Sequence, residues 1–392
     1  MPTQPPSAFT PACGEEPPSL YLHIPFCRSR CAYCSFNSYA CPSPPAAYLA
    51  ALAGQIRYWG KHEWCRERTF ATLFVGGGTP TIYDGGELAG LVRQSLESFN
   101  FGEDPEITVE ANPNTVNVQS LGALRRGGVN RLSLGVQAFS DRLLAVLGRS
   151  HTVAEAVLAI KDARRAGFAN INLDLMYGLP GQNVAAWRDT LVQALDYEPE
   201  HLACYELTIE EDTPFARLVD TGELALPAEE ELLAMADVTH DLLARAGLAR
   251  YEISNYAAPG RECRHNVNYW RNGSYLGLGA GAVSCLSGLR LGTVKDPEAF
   301  VDVIQAGELP LAEAECLPLA ARFRESVVMG LRMVEGVSCA RLHRQFGLTP
   351  TGYYGNMLED LQQQGLITVS EESLRLTERG LPVANQVLAR LV

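Results

Sequence analysis

The sequence predicts an α/β protein: a partial (β/α)6 barrel followed by a C-terminal, mostly helical, winged-helix-like domain. Two observations carry the barrel and one the domain after it. Between positions 19 and 207, six short apolar runs alternate with longer segments of helical period, the pattern of parallel βα units with right-handed crossovers. The runs are apolar on both faces, as strands covered by helices on each side require. After about position 317 two helical segments, a third helix and a short hairpin follow one another, the order of a winged helix.

In chain order, SLYLHI (19–24) reads as the first strand and YLAALAGQIRYWG (48–60) as the helix after it. TLFVGGG (72–78) is a strand running into glycines, followed by the helix GGELAGLVRQSLESF (85–99). EITVE (106–110), RLSLGV (131–136), NINLDLMYG (170–178) and HLACYEL (201–207) complete the six strands, with HTVAEAVLAIKDARRAG (151–167) among the helices between them. Six units are too few for a closed eight-stranded barrel, so an open one is expected, with ligands at the C-terminal ends of its strands. A long helix at 227–247, the polar-aromatic run YEISNYA (251–257) and a Gly-rich stretch come next. RFRESVVMGLRMVEG, SCARLHRQFG and YYGNMLEDLQQQGL are the helices of the last part, and ITVSEESLRLTERG its wing. The expected organisation is a flexible Pro-rich tail at 1–18, a barrel core at 19–225, an extension at 226–316 and the winged-helix-like domain at 317–392.

Composition narrows the function classes. The 392 residues carry a net charge of −13, which argues against a general nucleic-acid binder, and the winged-helix-like part carries no dense basic stripe. No run of about 18 apolar residues offers a membrane span. The first residues show neither a basic nor an apolar signal region, so a cytoplasmic location is expected. Eleven cysteines, an odd number, then favour metal binding or catalysis over disulfides.

Cys27, Cys31 and Cys34 stand after the first strand with the spacing C-x3-C-x2-C. Three thiolates on one loop can hold three irons of a [4Fe–4S] cluster and leave the fourth open to a small ligand. Zinc is the alternative, but structural zinc takes four ligands and only three thiolates are local, so His23 would have to be recruited. Unrelated free thiols are the third reading, and nearby Cys41 is a spare ligand at most.

With Gly-Gly-Gly-Thr-Pro (76–80) after the second strand, this pattern resembles the radical S-adenosylmethionine superfamily. That resemblance implies that S-adenosylmethionine chelates the open iron through its amino and carboxylate groups and is cleaved to a radical on one-electron reduction by an electron donor. YLHIPFC, GGGTPT, ITVEANP, RLSLGVQAF, LGRSH and NLDLMYGLPGQ occur in the order found in the oxygen-independent coproporphyrinogen III oxidase family, over residues 19–182. By match to that family, Tyr21, Gly77, Gly78, Thr79, Glu110, Gln137, Arg149 and Asp174 would contact S-adenosylmethionine. The residue chemistry agrees: Glu110 and Asp174 can accept from an ammonium or ribose hydroxyls, Arg149 can pair with a carboxylate, and Tyr33 can lie against adenine. Each residue alone would read as a strand-end cap or surface ion pair.

Two departures from the oxidases stand out. Where they carry a fourth cysteine this chain has Phe36, and RHNVNYWRNGSYLGLGAGA (264–282) contains an H-N-x-x-Y-W signature. That signature, with EISNYA and YELTIEEDTPF, resembles the heme chaperones related to those oxidases. The resemblance implies heme binding at His265, Tyr269 and Trp270 and transfer to an acceptor protein that the sequence does not identify. An imidazole is a common axial ligand and aromatic rings pack on a macrocycle; without the signature, an aromatic core cluster around a hydrogen-bonded histidine would be the reading. A histidine frequent after GAGA in these chaperones is Val283 here. The competing expectations are a radical enzyme acting on a porphyrinogen or transferring a methyl group, and a non-catalytic metal-binding or interaction protein. Phe36 argues against a true coproporphyrinogen III oxidase.

Overall fold

The computed structural model describes residues 16–392. The first 15 positions of the expected tail lie outside the described residues. Its last residue, Pro18, is buried, and its carbonyl accepts from the Ala71 amide at 2.9 Å.

Six parallel strands form the core: β1 (Ser19–Ile24), β2 (Phe70–Gly77), β3 (Phe101–Ala111), β4 (Arg131–Gln137), β5 (Ile171–Tyr177) and β6 (His201–Glu206). Helices α1 (Ala46–Lys61), α2 (Gly85–Ser98), α3 (Val118–Arg126), α4 (Val153–Arg165) and α5 (Val184–Leu195) connect them. Leu20, Leu22, Leu132, Leu134, Leu173 and Leu175 are fully buried on one face of the strands, while the alternate positions Tyr21, Arg131, Ser133, Asn172 and Asp174 line the barrel interior. Asp84 with Glu87, and Thr152 with Glu155, form capping boxes that start α2 and α4, each satisfying amides the first turn leaves unpaired. Trp187 on α5 donates its indole N–H to Thr239 at 2.8 Å, which pins α6 (Glu229–Arg245) to the barrel without a buried orphan.

The barrel does not close. Beyond β6 the sheet continues antiparallel through Asn255–Ala257 and Ala249–Arg250. Beyond β1 it gains a seventh parallel strand, Tyr275–Leu278, and then an antiparallel series over Val283–Leu286, Leu289–Thr293 and Leu311–Cys316. Periodicity gave no sign of that seventh strand because it is four residues long and contains glycine. Glycine is needed just after it: Gly279 has φ +105°, and a Cβ there would lie 2.4 Å from the His23 carbonyl oxygen.

The C-terminal part has its own core, in which Phe323, Val327, Leu342, Leu361, Leu374 and Leu391 are buried together. Helices Leu319–Gly330, Cys339–Phe346 and Asn356–Gln363 pack on the three-stranded sheet formed by Val337–Ser338, Ser373–Leu376 and Ile367–Val369. Among the described residues no helix is long and apolar enough to cross a membrane.

Candidate functional site

The cysteine loop leaves the C-terminal end of β1 and is closed at its base. Phe26 and Cys27 pair with Tyr39 and Ala40, and the Cys41 amide donates to the Cys27 carbonyl at 2.8 Å. Asn37 donates to the Ala280 carbonyl at 3.2 Å and Tyr39 to the Lys295 carbonyl at 3.2 Å, so the Gly-rich stretch braces the loop from outside. Cys27, Cys31 and Cys34 line one cleft together with Tyr33, Phe36, Gly77, Gly78, Thr79, Glu110, Gln137, Arg149 and Asp174. All but Tyr21 of the residues assigned to S-adenosylmethionine from the sequence therefore meet there. Thr79 donates its hydroxyl to Cys27 Sγ at 3.4 Å, and Arg149 Nη1 donates to Cys31 Sγ at 3.4 Å. Among the described residues no three His, Cys, Asp or Glu side chains converge closely enough to hold a single metal ion. The histidine that zinc would need is occupied: His23 is bonded through Nδ1 to Tyr21 at 2.8 Å and through Nε2 to the Asn37 carbonyl at 3.0 Å. Cys41 lines a different cleft, with Phe26, Pro45 and Pro297.

The strand ends supply the rest. Gly77 has φ +116°, and a Cβ there would lie 2.5 Å from the His23 ring, so only glycine lets β2 turn here. Its amide donates to Glu110 Oε2 at 3.1 Å. Enclosure and the neighbouring Asp174 carboxylate raise Glu110 to about 8. Asp174 is also raised, mainly by its removal from water, although it accepts from Asn172 at 2.7 Å and Ser133 at 3.2 Å. Gln137 holds φ +65°, a left-handed conformation that costs a residue with a side chain on the order of 1–3 kcal/mol and aims it into the cleft. Arg149 bonds the Gly135 carbonyl at 2.8 Å and the Asn112 side chain, yet its Nε is buried with no partner. Three thiols with no fourth cysteine, a guanidinium with a spare donor and two enclosed carboxylates fit a three-cysteine cluster with an amino-acid ligand on the open iron.

Below the cleft lies a polar chamber inside the barrel, lined by Tyr21, Arg131, Asn172, His201, His265 and Tyr269 and sharing Glu110 and Asp174 with the cleft. Tyr21 faces this chamber, not the cysteines. The HNVNYW segment is a helix, α7 (Arg264–Trp270). Its N-terminus is held by the buried Glu106 carboxylate on β3, which accepts from the amides of Arg264 at 3.0 Å and His265 at 3.1 Å.

His265 and Tyr269 share one face of α7, as the i, i+4 spacing requires. That face points into the chamber. His265 is 1% exposed. Thr72 donates to Ser19 at 2.9 Å, so His265 donates through Nδ1 to Thr72 at 2.7 Å, and its remaining lone pair on Nε2 accepts the Tyr269 hydroxyl at 3.1 Å. Burial, aided by Arg131, lowers its pKa to about 3, so the ring is neutral, with both nitrogens engaged in hydrogen bonds to Thr72 and Tyr269. Trp270 parts from the other two. It stacks under the Arg332 guanidinium at 4.9 Å, and its buried indole N–H has no partner.

Sequence reasoning missed Asn112, Glu106 and Thr72. Asn112 follows Glu110 by two residues in ITVEANP, so alternation along β3 already placed it on the same side. Glu106 and Thr72 act across elements far apart in sequence, and no local pattern marks them.

The radical SAM superfamily profile matches residues 21–194, and the HemN C-terminal domain profile matches residues 317–383. The chain is 36% identical to heme chaperone HemW of Bacillus subtilis (strain 168), covering 94% of this chain and 97% of that one. It is 35% identical to heme chaperone HemW of Escherichia coli (strain K12), covering 95% and 97% respectively. Among solved structures, coproporphyrinogen III oxidase (HemN) from Escherichia coli, a radical SAM enzyme, superposes with a TM-score of 0.82 at 24% identity over 96% of this chain and 90% of that one. That last likeness establishes the shared α/β architecture. With identities of this size along nearly the whole length, the chain belongs to the HemW heme chaperone family of the radical SAM superfamily.

Proposed function

We propose that this protein binds heme and delivers it to an acceptor protein in the cytoplasm, and that it carries a [4Fe–4S] cluster on Cys27, Cys31 and Cys34 with S-adenosylmethionine at the remaining iron. The observation that carries the reading is the cleft itself: three thiols face Gly77, Gly78, Thr79, Gln137 and Arg149, and an exposed phenylalanine, Phe36, stands on its rim. When bound, the cluster would supply electrons one at a time from an electron donor, and the open iron would hold the amino acid end of the ligand. Glu110 and Asp174 accept its ammonium and hydroxyl protons, Arg149 faces its carboxylate, and Tyr33 offers a ring to adenine. Heme is met by the Trp270 end of α7, while His265 and Tyr269 position that helix from inside. The division into tail, barrel, extension and winged-helix-like domain, with boundaries near 19, 226 and 317, belongs to the same reading.

A second reading rests on the chamber beneath the cleft. Its sharing of Glu110 and Asp174 with the cleft would suit an enzyme that acts on a porphyrinogen or transfers a methyl group. Anaerobic cluster reconstitution, heme titration and an assay for 5′-deoxyadenosine separate the two. Saturable heme binding without turnover supports the chaperone; turnover of a porphyrinogen overturns it.

A further inference from the structure

We propose that the pocket between the barrel's last strands and the C-terminal domain holds the two propionate carboxylates of heme, with Glu16 as an internal competitor. The proposal rests on the heme reading above. The pocket begins where α7 ends: Asn272, Gly273 and Ser274 form one wall. Across from them stand Arg290, Arg322, Arg341 and Arg344, against two carboxylates, Glu16 and Glu325. Four guanidiniums facing two carboxylates leave two positive charges, which matches the two propionates of heme.

The charges are arranged, not scattered. Glu325 is taken up by Arg290. Arg322 lies over the Phe346 ring at 5.8 Å and against Gly288, where any Cβ would strike its guanidinium at 2.5 Å. Arg341 bonds the Arg271 carbonyl at 2.8 Å and meets Glu16 at 3.2 Å, and Arg271 meets the same carboxylate at 3.8 Å. Glu16 thus shows that a carboxylate fits between these two cations. The cavity measures about 250 Å³, smaller than a macrocycle, so it takes the propionate edge and leaves the ring outside. Arg271 and Asn272 directly follow Trp270, which places the unpartnered indole of the proposed heme-contacting end beside this pocket. A heme held by its propionates presents its iron and its opposite edge outward, as handover requires.

The test titrates the full chain with ferric heme and with ferric heme dimethyl ester, which has the same ring but no carboxylates. The wild type should bind heme about tenfold more tightly than the ester, the effect of one charge-assisted pair. Arg344→Glu should weaken heme binding by about tenfold or more and leave the ester unchanged. Glu16→Gln should tighten heme binding, an effect opposite in sign to that of a damaged fold. Heme and ester bound equally well, or both variants matching the wild type at unchanged melting temperature, would overturn the pocket while the heme reading stands. No saturable binding of either compound by the wild type would overturn both.

Discussion

The Tyr269 hydroxyl donates to Nε2 of His265 at 3.1 Å, which leaves the imidazole without a free lone pair. The ring is a buried bridge between β1, β2 and α7. His265→Ala should therefore cost stability, about 1–3 kcal/mol for the hydroxyls left unsatisfied, with more for the cavity. The spectrum of bound heme should not change in position. Tyr269→Phe should behave likewise and more mildly. A heme spectrum shifted by His265→Ala at unchanged melting temperature would restore the histidine as an iron ligand.

His265 also gives an acid limit. Its pKa is about 3 in the fold against 6.5 unfolded, so between those values the unfolded chain binds the extra proton. The contribution is fully present above pH 6.5 and is lost as pH falls towards 3. Denaturant titrations from pH 7 to 4 should show that loss, and His265→Gln should flatten its slope.

Glu110 has the opposite sign. Its carboxyl is raised to about 8, so it is protonated at neutral pH until a cation arrives. An ammonium needs the carboxylate, so binding S-adenosylmethionine should release a proton. Its affinity should rise with pH by up to tenfold per unit and level off near 8. Calorimetry in buffers of different ionisation enthalpy measures the proton count. Proton release of zero, or the same pH slope in Glu110→Gln, would remove Glu110 from the site.

Replacing Cys27, Cys31 and Cys34 with Ala should abolish iron and sulfide content after reconstitution. Arg149→Gln should leave a cluster but make it harder to reduce, because Cys31 loses a donor and a positive charge. About 1 kcal/mol corresponds to about 50 mV for one electron. A redox titration that finds the same midpoint in wild type and variant would show that the guanidinium does not act on the bound sulfur.

The legible part of this protein is what repeats locally. Strands such as Arg131–Gln137 and helices such as Val153–Arg165 announce themselves by period, and the cysteine cleft is readable because each strand end carries its own motif. What stayed hidden is set by pairing at long range. The strand Tyr275–Leu278, which follows α7, joins β1 across more than 250 residues. A sequence displays an H-N-x-x-Y-W run but not which side of the helix meets solvent. The buried carboxylate of Glu106, 159 positions before His265, decides that.

The protein should not convert coproporphyrinogen III to protoporphyrinogen IX. The cleft retains the residues expected around S-adenosylmethionine, so loss of that site is not the reason. The difference lies at Phe36, which is 69% exposed on the rim of the cleft where the oxidases carry a cysteine. A phenyl ring has no acid, redox or ligand chemistry to replace a thiol. A porphyrinogen is puckered and has no iron, so it gains little from a ring platform such as Trp270 that suits a flat macrocycle. Reconstituted protein given coproporphyrinogen III, S-adenosylmethionine and reductant should return the substrate unchanged, while the same preparation binds heme saturably. Formation of protoporphyrinogen IX by the unmodified chain would reverse the assignment and make the chamber shared by Glu110 and Asp174 the working site.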